Sequence, residues 1–147
     1  MQVFIVGTPI ETAYALDKRR LNKQIIECNQ ILKAINNESK AWANHPCTLQ
    51  YSGFREWLKH YVNCLTEYKN GDKFMAEQWS MWADIYKPIW HTKEYFNQMK
   101  RRLYTKDNEH YKQWKDLGES DINWYNVKGK WKYYKNGKII KNYEAIY

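Results

Sequence analysis

The sequence predicts an all-α fold, a compact irregular helical bundle with a short N-terminal extended segment and a C-terminal aromatic, basic hairpin or tail. Three observations carry this expectation. Apolar residues recur at three- and four-residue steps in successive segments between Leu16 and Tyr104. Capping residues and Gly, Asn or Pro stops bracket those segments. Patterns suited to extended chain are confined to the two ends. At 147 residues the chain is read as one domain, residues 1–147, long enough to bury a core without staples.

Residues 3–6 are a short apolar run closed by Gly7, too brief for a helix and expected as a buried strand or extended lead-in. Thr8-Pro9-Ile10-Glu11 is a capping-box pattern with Pro at the first helical position. Helix therefore begins there, and it either runs to about Asn36 or breaks near Asp17, which then caps a second helix. On it Leu21, Ile25, Cys28, Leu32 and Ile35 form one apolar stripe. Residues 36–39 are a polar exit, and Asn44-His45-Pro46 marks a turn because Pro restricts the residue before it.

From Ser52 to Lys69, Phe54, Trp57 or Leu58, Tyr61 and Leu65 have helical spacing, and Asn70-Gly71 supplies a left-handed stop. Residues 72–86 form a further helix with Met75, Trp79 and Trp82 on one face and Pro88 beyond its end. Residues 92–104 form another, crowded with Lys93, Lys100, Arg101 and Arg102. Asp107 or Asn108 caps a short helix through Lys115 that Gly118 ends. In the tail, Asn136-Gly137 between two β-prone runs signals a two-residue hairpin, with Trp131 and Tyr133 on one face and Lys130, Lys132 and Tyr134 on the other.

Lys and Arg outnumber Asp and Glu by 24 to 16, so the +8 charge points to a polyanionic partner. Aromatic residues interleaved with lysines suit unstacked nucleobases. Cys28, Cys47 and Cys64 are odd in number and, with His45, His60, His91 and His110, give no metal-ligand spacing. They read as reduced, mostly buried thiols. The N-terminus has neither the basic lead nor the apolar run of a signal peptide or anchor, and no window approaches a membrane span. The expected setting is cytoplasmic, with no membrane, metal or obligate protein partner.

The segment of residues 16–35 carries the chemistry. Arg20, Lys23 or Gln24, and Glu27 share one surface of the helix, which could bind a phosphate beside an acid or be a solvated face with ion pairs. No second carboxylate is marked out as a partner for Glu27, and no nucleophile elbow, P-loop or dinucleotide loop is present. The remaining nucleophile is the chain's own amino terminus, whose reference pKa of ~7.7–8.0 leaves much of it neutral near pH 7.

At these residues the sequence resembles the pyrimidine-dimer DNA glycosylase/endonuclease V family, helical enzymes of phage and bacteria. Arg20-Leu21 to Gln24 to Glu27 is similar to the family helix with its essential glutamate. Residues 51–54 leading to residues 65–71 resemble its second long helix and glycine stop. His91, then Arg102-Leu103-Tyr104-Thr105-Lys106, resembles the segment touching DNA, and Trp131-Lys132-Tyr133-Tyr134 with the final Ile146-Tyr147 resembles the aromatic basic tail. Residues 16–27 and Trp42-Ala43-Asn44-His45-Pro46 are closest to a bacterial branch.

The resemblance implies a glycosylase and abasic-site lyase acting on damaged or modified pyrimidines in double-stranded DNA, by base flipping and without a cofactor. It implies that the amino-terminal nitrogen attacks the sugar and forms an imine; because this chain departs from the family with the large Gln2, which disfavours removal of Met1, the nucleophile is then the amine of Met1, or Lys18 or Lys23 takes that role, or no imine forms. Glu27 stabilises the cationic sugar and takes part in strand cleavage. Arg19, Arg20, Lys23, Gln24, His91, Arg102, Lys106, Trp131, Tyr133 and Tyr134 are its expected DNA contacts. The alternative is a nucleic-acid or nucleotide-binding module on the same fold without catalysis.

Overall fold

A computed structural model describes residues 2–117 and the backbone of three strands within residues 123–144. Six helices make the body: α1 (Pro9–Ala15), α2 (Lys18–Ile35), α3 (Pro46–Tyr51), α4 (Arg55–Lys69), α5 (Lys73–Ile85) and α6 (Lys93–Lys106), followed by a 3-10 turn at Lys112–Trp114. The strands β1 (Asn123–Val127), β2 (Lys130–Lys135) and β3 (Lys138–Glu144) form an antiparallel sheet in that order. The expected helical bundle and antiparallel tail are both present, and β1 is a strand that the sequence reading did not anticipate. A register shift at Tyr133/Tyr134 marks a bulge in the β2–β3 pair. The Asn136-Gly137 turn, the Gly118 stop and the tail's side-chain faces lie outside the described residues.

The ends of the helices follow local chemistry. Thr8 and Glu11 complete the capping box of α1. The chain then breaks at Leu16, and the Asp17 carboxylate accepts the Arg20 N–H to start α2. Asn37 at φ 59° and Gly71 at φ 86° take the left-handed positions that end α2 and α4. The expected turn at Asn44-His45-Pro46 is the start of α3. His45 Nδ1 accepts the Cys47 N–H at 3.1 Å, which requires an unprotonated nitrogen, and burial lowers the His45 pKa in keeping with that role.

Two apolar faces are rotated from their expected positions. On α2 the buried set is Leu21, Gln24, Cys28, Ile31 and Ala34, while Ile25, Leu32 and Ile35 pack only at the edge of the core. On α5 the inward residues are Ala76, Ser80 and Ala83, whereas Trp82 is 41% exposed. Small side chains let α5 lie close to α4, its main neighbour. Ser80 also faces inward because its hydroxyl accepts the Ile10 N–H at the start of α1, a donor with no partner inside its own helix.

The core joins residues 3–6 to α2, α4 and an aromatic group built on Tyr51, Trp57, Tyr61, Trp90 and Tyr95. His91, expected at the DNA surface, is 3% exposed inside that group, with Nε2 at 3.0 Å from the Tyr51 hydroxyl. Cys28, Cys47 and Cys64 are also buried, and burial pushes the Cys64 thiol up to about 12.

Burial, reinforced by the Lys87 charge, pushes the His91 pKa well below its ordinary 6.5. The unfolded chain therefore binds a proton that the folded chain refuses, so stability is complete above about pH 6.5 and declines as pH falls below it. The slope from this residue is at most about 1.4 kcal/mol per pH unit. Urea unfolding between pH 7.5 and pH 5 is expected to show a shallower decline in His91→Gln than in the wild type; parallel curves would contradict the assignment.

Candidate active site

Among the described residues no strand pairs with the lead-in of residues 2–6, so its backbone finds partners among side chains. Gln24, 2% exposed on the inner face of α2, supplies two: its Oε1 accepts the Phe4 N–H at 3.0 Å, and its Nε2 donates to the Gln2 carbonyl at 2.5 Å. Tyr61 on α4 donates its hydroxyl to the Phe4 carbonyl at 2.9 Å, and the Val6 N–H donates to Thr12 Oγ1. These bonds lay the lead-in along α2 toward Glu27. The Gln2 N–H then lies 3.4 Å from Glu27 Oε2.

Lys23, one turn before Glu27, places its Nζ 3.7 Å from Glu27 Oε1. The two carboxylate oxygens thus meet different partners, and the Glu27 side chain is only 14% exposed. Around it lies a cavity of about 300 Å³ lined by Gln2, Phe4, Arg19, Arg20, Lys23, Gln24, Glu27 and Lys106. Four cations and one carboxylate thus line the same cavity. Lys106 comes from the last turn of α6 and lies 6.0 Å above the Phe4 ring.

Arg20 is held from several sides. Its Nη1 lies 3.2 Å from Asp17 Oδ1 and 3.8 Å from Asp107 Oδ2, and its guanidinium sits 5.9 Å from the Tyr111 ring centre. Tyr111 in turn donates its hydroxyl to Asp17 Oδ1 and accepts the Asp17 N–H. Burial alone would raise the Asp17 pKa, but the hydrogen bonds from Tyr111 and Arg20 and the Arg20 charge outweigh it, leaving the carboxyl below its ordinary value. This network ties the start of α2 to the chain after α6.

Of the expected site residues, the structure gathers Arg19, Arg20, Lys23, Gln24, Glu27 and Lys106 around one cavity. Gln24 belongs to its floor as a buried, fully engaged amide, which corrects its expected place on the DNA-facing surface. His91 is in the core, for it packs among aromatic rings. Arg102 is half-buried one turn before Lys106 and does not line the cavity, and neither does Lys18. Met1 and the side chains of Trp131, Tyr133 and Tyr134 lie outside the described residues.

Sequence reading missed Tyr61, Asp17, Asp107 and Tyr111 as supports of the site. A signal existed for Gln24: Leu21, Gln24, Cys28 and Ile31 also follow three- and four-residue steps, putting a lone amide in an apolar stripe. Among the described residues, no three His, Cys, Asp or Glu side chains gather to hold a metal ion. No described helix is long and apolar enough to cross a membrane.

Residues 1–69 match the family model described as pyrimidine dimer DNA glycosylase. The match takes in the lead-in, Gln24, Glu27 and Tyr61, and so supports the resemblance read from the sequence where the carboxylate and its supports lie. Lys106, Asp107 and Tyr111 come from beyond it. No curated protein and no solved structure matches the chain.

Removing the Asp17 carboxylate in Asp17→Ala takes away a helix cap and leaves the Tyr111 hydroxyl and Arg20 without their acceptor. A loss of about 1–2 kcal/mol at pH 7 is expected from the cap and its bonds. Because the folded pKa is lowered from 3.8, the charge-dependent part of this contribution is complete above that value and is lost as pH falls through the lower native one. The gap between the urea midpoints of wild type and variant should narrow below pH 3.8; a constant gap would contradict the charged role.

Proposed function

We propose that this chain is a DNA glycosylase with abasic-site lyase activity, acting on damaged or modified pyrimidines in duplex DNA through the amine of residue 1 and Glu27. One observation carries the reading. The backbone nitrogen of the second residue meets the Glu27 carboxylate inside a cavity lined by four cations. The match of residues 1–69 to a pyrimidine dimer DNA glycosylase family supports the glycosylase part of this reading.

In the proposed reaction the neutral amine donates its lone pair to C1′ of the damaged nucleotide. The glycosidic bond breaks, and the base leaves with that electron pair and takes up a proton. The sugar ring opens as its oxygen gains the proton lost by nitrogen, giving a protonated imine. Glu27 stabilises the positive charge and then accepts a proton from C2′. The released electrons form the C2′–C3′ double bond as the 3′ phosphate departs, and water finally hydrolyses the imine. A lone carboxylate suits this sequence because the nucleophile is an amine and no second acid is required.

Arg19, Arg20, Lys23 and Lys106 are the proposed phosphate contacts. Drawing a nucleotide out of the duplex costs a few kcal/mol, least where damage has weakened stacking, and those contacts offset it. Each lost phosphate contact lowers the salt slope of binding by about 0.9. Lys106→Gln and Arg19→Gln are each expected to weaken binding to all duplexes alike and to reduce that slope by about one, as fluorescence anisotropy across salt concentrations would show. An unchanged slope in both variants would remove them from the DNA surface.

The reaction is tested by incubating the protein with abasic or dimer-containing duplex and borohydride, which reduces the imine to a stable adduct. The wild type is expected to form an adduct and cleave, Glu27→Gln to lose cleavage by at least about a hundredfold, and a form blocked at the amino terminus to lose the adduct. An adduct that survives blocking assigns the nucleophile to a lysine. Lys23 lines the cavity and Lys18 does not. Salt-dependent binding with neither adduct nor cleavage would establish a nucleic-acid-binding module instead.

A further inference from the structure

We infer that Gln24 is the positioning residue of this site, its buried side-chain amide fixing where the chain's first nitrogen lies relative to Glu27. The inference rests on the proposed imine chemistry. In an extended chain the carbonyl of one residue and the N–H two residues later point to the same edge. Gln24 meets that pair with Nε2 donating to the Gln2 carbonyl at 2.5 Å and Oε1 accepting the Phe4 N–H at 3.0 Å. The amide thus takes the place of one residue in a neighbouring strand. Tyr61 closes the arrangement, its hydroxyl lying 2.9 Å from the Phe4 carbonyl and 3.1 Å from Gln24 Oε1.

Gln24 and Glu27 stand three residues apart on α2, so the residue that grips the lead-in and the acid beside its end move as one rigid unit. Only one Cα–Cα step of about 3.8 Å separates the gripped residue 2 from residue 1. A small shift of the lead-in therefore passes directly to the amine, and reactive geometry is intolerant of shifts near 1 Å. The side chain must donate and accept at once without carrying charge, which an amide does and a carboxylate does only when protonated.

Gln24→Glu turns that requirement into a pH signature. Borohydride trapping on abasic duplex is expected to fall at least tenfold at pH 8 relative to the wild type. The ratio of variant to wild type should recover as pH is lowered and the new carboxyl regains a donor. Trapping is compared at saturating duplex, so that any weakening of binding by the added charge beside Arg19, Arg20, Lys23 and Lys106 does not enter the ratio. A ratio that stays flat with pH, or a loss that merely follows the unfolded fraction in thermal melts, overturns the role.

Tyr61→Phe supplies an independent arm, because it keeps the Gln24 amide while freeing the Phe4 carbonyl. It should lower trapping several-fold per folded molecule with duplex binding and pH profile unchanged; wild-type trapping would count against the grip. A wild type that forms no adduct overturns the proposed function and this role together. A wild-type adduct with a flat Gln24→Glu ratio overturns the role of Gln24 alone.

Discussion

The hydrogen bonding of the N-terminal lead-in to the Gln24 amide is the constraint on which the site depends. Residues 3–6 are apolar enough to enter the core, but burying an extended backbone without partners costs about 1–3 kcal/mol for each unsatisfied group. A sheet would normally satisfy that demand. Here side chains do so, with Gln24 from α2, Tyr61 from α4 and Thr12 from α1 converging on the same short segment. One consequence is that the segment beginning at Gln2 is fixed against the middle of α2. Another is that Glu27 acquires a backbone N–H as a neighbour.

The start of α2 shows how local stability yields to the site. Lys18, Arg19 and Arg20 occupy the first turn, where the helix dipole disfavours cations, and no acid accompanies them there. Asp17 is the compensation, acting as cap, ion-pair partner and hydrogen-bond acceptor for Tyr111. Conflict between a local preference and a global arrangement is expected where a binding surface is being built. Two of the cations that weaken the helix terminus, Arg19 and Arg20, line the cavity beside Glu27.

Punctuation was the most legible part of the sequence. The capping box at Thr8 and Glu11, the Asp17 cap and the left-handed stop at Gly71 each depend on a few neighbouring residues, and each lies where its residue types imply. Faces were less legible, because the direction a helix presents is decided by what packs on it. Met75, Trp79 and Trp82 were the larger apolar choice on α5, yet Ala76, Ser80 and Ala83 face inward, where α4 leaves room for small side chains and Ile10 needs an acceptor. His91 and Gln24 show the same limit. The family resemblance put His91 at a surface and the polar face of α2 put Gln24 there, while aromatic partners and a lead-in backbone needing partners drew them inside.

By itself the sequence determined a helical chain with extended ends, a basic balance of charge, and Glu27 among cations on one helix, because spacing and composition are properties of the linear chain. Tertiary structure alone decided that Lys106 joins those cations from α6, that Tyr111 and Asp107 hold Arg20, and that Tyr61 helps Gln24 seat the lead-in beside Glu27. The physical reason is that these partners lie 20 to 94 residues apart in pairs such as Phe4 with Gln24 and Asp17 with Tyr111. No local pattern encodes such a meeting. It follows from which buried groups are left needing a partner once the helices have packed.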